Sequence, residues 1–138
     1  MFVDACAIVS IVTGEETAAA YDASLSGASD PFTSPLAAFE AIIVLARPDH
    51  LKCSYAEAEA LVVAWLAERH IDLREPTSPR EILSHAIAVA EKHGLGKRYL
   101  SNFDCFHYAH AKAAGTALLT LDRVLIETDA ETLPARTP

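Results

Sequence analysis

Short apolar runs alternate with longer helical patterns along this chain. Strands are predicted at the apolar segments 1–3 and 117–120, and 32–33 and 71–73 are further candidate strands. Helices are predicted at 5–12, 15–26, 35–47, 55–69, 79–94 and 103–114. Because strands that alternate with helices are typical of βαβ units, the pattern predicts an α/β domain with a mainly parallel central sheet flanked by helices.

Capping residues support several of the predicted helix ends. Ser34 followed by Pro35 fits an N-cap and the first helical position. Asn102 is predicted to cap the last long helix, and Gly115 is predicted to end it. The tail after Asp129 is polar, its last residues include two prolines, and no element is assigned to it.

Length and charge narrow the classes of function. The chain has 138 residues, which predicts a single domain over 1–138. Its net charge of −8 argues against a broad basic surface that holds nucleic acid. An enzyme that meets phosphate through metal ions remains compatible with this charge, since clustered carboxylates would themselves make it acidic. An acidic surface would also attract a basic partner.

The cysteines and the hydropathy predict a cytoplasmic location. Cys6, Cys53 and Cys105 are odd in number and form no CxxC pair, which favours a reducing compartment. The apolar first thirteen residues lack a basic leading segment and carry an acid, so they do not resemble a signal peptide. No apolar run reaches the roughly 20 residues that span a bilayer, so no membrane segment is expected.

Two carboxylates stand in strongly apolar surroundings. Glu40 is the one polar side chain between positions 36 and 46, in a helix that is expected to be largely buried. If this carboxylate is buried, it needs a metal ion, a hydrogen bond or a charged partner such as arginine to offset the loss of hydration. The alternative is that Glu40 lies on a solvent-exposed face of the helix. Asp4 ends the first apolar run, with no other charge before Glu15.

Two further acids have ordinary explanations when each is taken alone. Asp104 falls in the first turn of a helix, where an acid is favourable without any other role. Asp122 follows an apolar strand and is explained equally by a polar turn. Together with Asp4 and Glu40, they form a set of oxygen donors that suits Mg²⁺ or Mn²⁺. Such ions can hydrolyse a phosphodiester.

Four motifs, in this order, resemble those of the PIN-domain nucleases, and within them the VapC-type toxins of toxin–antitoxin pairs. They are MFVDACAIV at 1–9, TSP at 33–35 leading to FE at 39–40, NFDCFHYA at 102–109 and LLTLD at 118–122. The resemblance implies a PIN-like three-layer fold and a Mg²⁺-dependent endoribonuclease, with Mn²⁺ as an alternative ion. It also implies RNA as substrate, a cognate VapB-type antitoxin and a homodimer.

The resemblance places metal binding and catalysis on Asp4, Glu40, Asp104 and Asp122. Many members carry Ser or Thr two residues after the first acid, where this chain has Cys6, a weaker hydrogen-bonding group. Asp122 stands where some relatives have glycine, so Asp129 is kept as a reserve candidate. The alternative function is a PIN-fold binding protein with a silent or metal-poor site that acts through its partner.

His107 lies three residues after Asp104, so the two side chains can share a helix face. It could orient Asp104 or contact a phosphate, although an ordinary polar helix residue is the more common case. Cys6 and Cys105 each lie close to a proposed ligand. Because an acidic pocket disfavours the thiolate, both are interpreted as packing residues and not as nucleophiles.

Overall fold

Parallel strands of two residues each form the centre of the protein, in a computed structural model that describes residues 1–76 and 78–135. Within these residues the strands are β1 (Phe2–Val3), β2 (Phe32–Thr33), β3 (Asp72–Leu73), β4 (Leu118–Leu119) and β5 (Thr132–Leu133). Their order is β3-β2-β1-β4-β5, and every pairing is parallel. The predicted parallel sheet is therefore confirmed.

Helices connect the strands and flank the sheet. They are α1 (Ala5–Thr13), α2 (Ala18–Ser26), α3 (Pro35–Leu45), α4 (Tyr55–Glu68), α5 (Pro79–His93), α6 (Asn102–Ala114) and the short α7 (Arg123–Ile126). The predicted α/β class is confirmed. In the described part of the chain, no helix combines the length and apolar character that a membrane crossing needs.

The two faces of the sheet bury different side chains, because successive residues of a strand point to opposite sides. Phe2 and Leu118 face the core beneath α5 and α6. Val3 and Leu119, one position further along each strand, face the core beneath α1 to α4. Two apolar cores on either side of one sheet give the three layers that the family resemblance implied.

The chain departs from the predicted elements mainly near its carboxyl end. The polar tail, to which the sequence assigned no element, contains β5, whose Leu133 pairs with Leu119 of β4. The N-cap of α6 is Ser101, and Asn102 is the first residue inside the helix. The predicted second helix is shorter, since residues 15–17 form a turn ahead of α2.

The sheet order brings two strand ends together. β1 and β4 are neighbours, with Phe2 opposite Leu118 and Val3 opposite Leu119. The residues that follow, Asp4 and Thr120, therefore leave the sheet side by side. Ligands of parallel α/β sheets gather beyond these carboxyl ends, so this edge is the expected place for a functional site.

His110 of α6 makes the stability depend on pH. The side chain is buried and stacks on Phe2, with ring centroids 5.3 Å apart. Burial and, to a smaller extent, positive charge on His107 together lower the pKa of His110 to about 4. Below its ordinary pKa of about 6.5, the unfolded chain binds a proton that the folded chain refuses. Stability from this group is thus complete above pH 6.5 and is lost as the pH falls toward 4.

The variant His110→Phe keeps a ring against Phe2 but cannot take up a proton. The free energy of unfolding should therefore fall less between pH 7 and pH 4 in the variant than in the wild type, by about 3 kcal/mol. Urea titrations at both pH values measure this difference. Equal losses in the two proteins would show that His110 does not titrate as a buried group.

Candidate metal centre

Asp4 is a buried carboxylate at the carboxyl end of β1, with 3% of its surface exposed. It is also the N-cap of α1, since its Oδ1 accepts a hydrogen bond of 2.7 Å from the backbone N–H of Ala5. Its Oδ2 accepts from the Thr120 hydroxyl at 2.7 Å and from the Cys6 thiol at 2.9 Å. Both oxygens are thus held in fixed positions.

A directed chain of hydrogen bonds ends on this carboxylate. Because Thr120 and Cys6 each have one proton, and each donates it to Asp4, neither has a proton for another acceptor. The Tyr21 hydroxyl, 3.2 Å from the Cys6 Sγ, is therefore the donor in that contact. The same hydroxyl accepts from the backbone N–H of Leu121 at 2.8 Å. The loop after β4 is thereby tied to the support of Asp4.

Cys6 acts here as a hydrogen-bond donor. Burial raises the pKa of its thiol well above the ordinary value, and the negative charge of Asp4 raises it further. Burial and the charge of Asp104 likewise raise the pKa of Cys105. Both thiols therefore stay protonated near neutral pH, as the sequence predicted for cysteines in an acidic pocket. Neither has the character of a nucleophile.

Glu40 projects from α3 toward α6, where it meets His107. The carboxylate oxygen Oε2 lies 2.6 Å from the His107 Nε2, while the Glu40 side chain keeps 26% of its surface exposed. The apolar surroundings of Glu40 predicted a partner, and the partner is this histidine. The same Nε2 is 3.7 Å from the Asp4 Oδ1, so the imidazole lies between two carboxylates.

His107 is fully buried, with its ring stacked on Phe2 at a centroid distance of 5.8 Å. Burial by itself lowers the pKa of His107, but the hydrogen bond to Glu40 and the nearby negative charges outweigh it. The net effect is a raised pKa. Nδ1 is buried without a hydrogen-bond partner among the described residues. Nε2 is thus the nitrogen that carries a proton and donates it to Glu40.

The donor set of this cluster suits a divalent cation. Asp4, Glu40 and His107 each offer one ligand atom, and the three atoms lie within 4.8 Å of one another. Two of these atoms are carboxylate oxygens, the donors that Mg²⁺ and Mn²⁺ prefer. The third is an imidazole nitrogen, which suits transition metals. While Nε2 carries the proton that it donates to Glu40, the two carboxylates are the ligands available to an ion, and His107 could ligate it only after Nε2 lost that proton.

Asp104 lies in the first turn of α6 and forms a capping box with Ser101. Its Oδ2 accepts a hydrogen bond of 2.9 Å from the Ser101 backbone N–H. In return, the Ser101 hydroxyl oxygen accepts one of 3.1 Å from the Asp104 backbone N–H. Burial raises the pKa of Asp104, the Ser101 hydrogen bonds lower it, and the charges of Asp122 and Asp4 raise it again. The net effect is a raised pKa. Asp104 therefore caps a helix, and the negative charges of Asp122 and Asp4 also act on its carboxylate.

Asp122 caps the short helix α7. Its Oδ1 accepts from the backbone N–H groups of Val124 at 2.9 Å and Leu125 at 3.1 Å. Its own N–H donates to the Thr120 hydroxyl oxygen at 3.1 Å, which links it to the support of Asp4. The cap does not use Oδ2. Asp122 is thus a helix N-cap and not only a residue of a polar turn, and the cap leaves one oxygen for another partner.

Asp129, the reserve candidate, lies in a different environment. It is exposed and accepts from the Tyr108 hydroxyl at 2.6 Å and from the Lys112 ammonium at 3.2 Å. The Tyr108 hydrogen bond lowers the pKa of Asp129, with Lys112 adding to the effect. Its contacts are with the carboxyl-terminal half of α6, and they explain the residue without a metal.

The fold and this cluster agree with a comparison against known protein families. The model of the PIN domain family matches residues 1–131. A search of curated proteins finds no match. Because the family model covers nearly the whole chain, and the structure has the parallel sheet that the family resemblance implied, the chain belongs to the PIN domain family.

Proposed function

We propose that this PIN domain is a metal-dependent endoribonuclease that hydrolyses phosphodiester bonds of RNA. PIN domains are generally metal-dependent nucleases, which supplies the reaction class. The observation that carries the proposal is the convergence of Asp4, Glu40 and His107 within 4.8 Å at the ends of the strands. These residues are far apart in the sequence, and the fold brings two carboxylate oxygens and one imidazole nitrogen close enough to hold one cation.

The proposed roles follow from the contacts of each side chain. Asp4 and Glu40 hold the ion, while His107 positions Glu40 through the proton on Nε2. Asp104 and Asp122 would contribute the carboxylate oxygens that their helix caps do not use. A bound divalent ion supplies Lewis-acid activation of water and neutralises charge that develops on the phosphate. The directed hydrogen bonds from Thr120 and Cys6 fix the Asp4 carboxylate for that task.

Mg²⁺ is the ion we propose, with Mn²⁺ as a functional substitute. Carboxylate oxygens form the main donor set, and Mg²⁺ retains several waters when few protein ligands hold it. Retained waters suit a hydrolytic site, because water is one of the reactants.

We further propose that the protein is the toxin of a VapC-type pair, neutralised by a VapB-type antitoxin in the cytoplasm, and that it forms a homodimer. The four motifs at 1–9, 33–40, 102–109 and 118–122 support the VapC-type resemblance. The net charge of −8 is complementary to a basic partner. Expression in bacteria tests the role: the wild type should arrest growth, and Asp4→Asn should not.

RNA cleavage by the purified protein, freed of any partner, tests the enzymatic proposal. Cleavage should require Mg²⁺ or Mn²⁺, stop when a chelator is added and resume when the ion is restored. Cleavage that persists in excess chelator, and that Asp4→Asn does not reduce, would contradict a metal-dependent reaction at this site. Intact RNA in the presence of either ion would overturn the enzymatic proposal.

Cys6 provides a prediction about the support of Asp4. In Cys6→Ser the hydroxyl should preserve or strengthen the hydrogen bond to Asp4, and Mn²⁺ affinity should be unchanged or higher. Cys6→Ala removes this bond and leaves Thr120 as the remaining side-chain donor to Oδ2, so Mn²⁺ affinity should fall by about 10-fold. Titration calorimetry on the pair measures both effects. Equal affinities for Ser and Ala at this position would show that the thiol contact has no part in metal binding.

A binding protein with a silent site is the second candidate function. An apolar groove of about 450 Å³ between α3 and α4 favours it, since such a surface can receive another protein. Its exposed lining includes Phe39, Tyr55 and Val63. Absence of Mn²⁺ binding in the wild type would favour this function over the nuclease.

A further inference from the structure

Aromatic rings form a continuous series from the core to the surface beside the metal centre. Phe2 in the core stacks on His107, with centroids 5.8 Å apart. His107 lies next to Phe103 at 6.4 Å, and Phe103 stacks on Phe39 at 6.5 Å with an angle of 26° between their planes. The outermost ring, Phe39, has 53% of its surface exposed. We call Phe39 and Phe103 the aromatic pair.

The aromatic pair lies directly beside the proposed metal ligands. Phe39 precedes Glu40 in α3, and Phe103 precedes Asp104 in α6. The pair therefore joins the two helices at the point where their acids reach the site. Phe39 keeps more than half of its surface exposed although its ring contacts Phe103, so one side of the pair remains open to solvent.

The charge of the chain makes such a surface useful for binding RNA. Affinity for nucleic acid usually comes from Lys and Arg that neutralise phosphates, whereas this chain has a net charge of −8. Stacking of bases on aromatic rings does not depend on positive charge and tolerates any base. A base can stack in this way when it is unpaired, because in a duplex its faces are covered by its neighbours.

We propose that the aromatic pair is a stacking platform for an unpaired nucleobase of single-stranded RNA, next to the phosphate that the metal centre receives. This inference rests on the proposed ribonuclease function and adds a base-binding role for two residues beside that site. Phe39 offers the exposed ring, and Phe103 supports it from behind. The inner end of the series is His107, which connects the platform to the ligand Glu40.

The test uses a fluorescent single-stranded RNA of mixed sequence and the same strand annealed to its complement. Binding is measured by anisotropy with Mn²⁺, in an Asp104→Asn background that prevents cleavage. Phe39→Leu keeps an apolar side chain but removes the ring, and should weaken single-strand binding by about 5-fold to 100-fold, the range for one stacked base. Phe39→Tyr keeps the ring and should bind within about 2-fold of the parent.

A matched control comes from the groove between α3 and α4. Tyr55 is an exposed aromatic residue that lines this groove with Phe39 but has no part in the ring series. Tyr55→Leu should leave single-strand binding unchanged. The duplex should bind more weakly than the single strand, and Phe39→Leu should not change its binding. Cross-linking of 4-thiouridine RNA should label α3 or α6.

Three results would overturn the platform. They are equal single-strand binding by Phe39→Leu and its parent, an equal loss in Tyr55→Leu, or no RNA binding by the parent. An equal loss in Tyr55→Leu would identify the groove between α3 and α4 as the surface that contacts RNA. If this groove receives a protein and not RNA, the parent should show no RNA binding. Mn²⁺ binding by each variant serves as the check on folding. Failure of the nuclease proposal is recognised separately, by intact RNA with the wild type.

Discussion

Asp4→Asn should reduce RNA cleavage by at least about 100-fold. Loss of a residue that only hydrogen-bonds to a metal ligand costs up to about 100-fold, and loss of a ligand itself should cost at least as much. The amide carries no charge, and only one of its two terminal atoms can accept hydrogen bonds. In the wild type, Oδ1 and Oδ2 together accept three hydrogen bonds, from Ala5, Thr120 and Cys6. The single amide oxygen of asparagine cannot accept all three. Asparagine is nevertheless as good an N-cap as aspartate, so α1 should remain folded.

Three other Asp→Asn variants place this result in context. Asp104→Asn and Asp122→Asn should also lose activity, because one oxygen of each is proposed to contribute to the site. Asp129→Asn should retain the wild-type rate, since Asp129 pairs with Tyr108 and Lys112 away from the cluster. Initial rates on one RNA, with circular dichroism as the folding check, provide the comparison. An inactive Asp129→Asn beside an active Asp122→Asn would reverse the choice between the two.

His107→Ala is expected to affect stability and metal binding together. Removing a fully buried ring should lower the free energy of unfolding by about 3 kcal/mol, the scale of large-to-small changes in a core. Glu40 also loses the proton donor that lies 2.6 Å away, so the carboxylate is no longer positioned. Affinity for Mn²⁺ should therefore fall by about 10-fold or more. Urea unfolding and titration calorimetry measure the two effects.

The preference between ions separates positioning from ligation. If His107 positions Glu40 by a hydrogen bond, His107→Ala should weaken Mn²⁺ and Mg²⁺ by the same factor. His107→Gln, whose amide can still donate to Glu40, should recover part of the affinity. A much larger loss for Mn²⁺ than for Mg²⁺ would contradict positioning, because it would identify the imidazole nitrogen as a ligand.

The helices and the inner strands follow from local sequence patterns. Apolar runs at Phe2–Val3 and Leu118–Leu119 are buried on both sides of the sheet, so the hydrophobic pattern predicts them. β5 was not predicted, because Thr132–Leu133 is a partly buried edge strand of two residues in a polar tail. Its conformation depends on pairing with β4, a contact that no local pattern records.

The candidate site shows the same division. Glu40 could be singled out because it interrupts a run of apolar positions, and the pattern predicted that it needs a partner. That this partner is His107, 67 positions away, depends on how α3 crosses α6. The spacing of His107 from Asp104 was the available signal, and it pointed to the wrong acid. Cys6 was recognised beside Asp4, but its place between Tyr21 and Asp4 required the fold.

Calorimetric titration of Mn²⁺ into the metal-free protein tests most directly whether these carboxylates form a metal centre. The wild type should bind the ion, Asp129→Asn should bind it equally, and Asp4→Asn should show at least about a 100-fold loss of affinity. Wild-type protein that gives no binding, or Asp4→Asn that binds as tightly as the wild type, would contradict the metal centre formed around Asp4, Glu40 and His107.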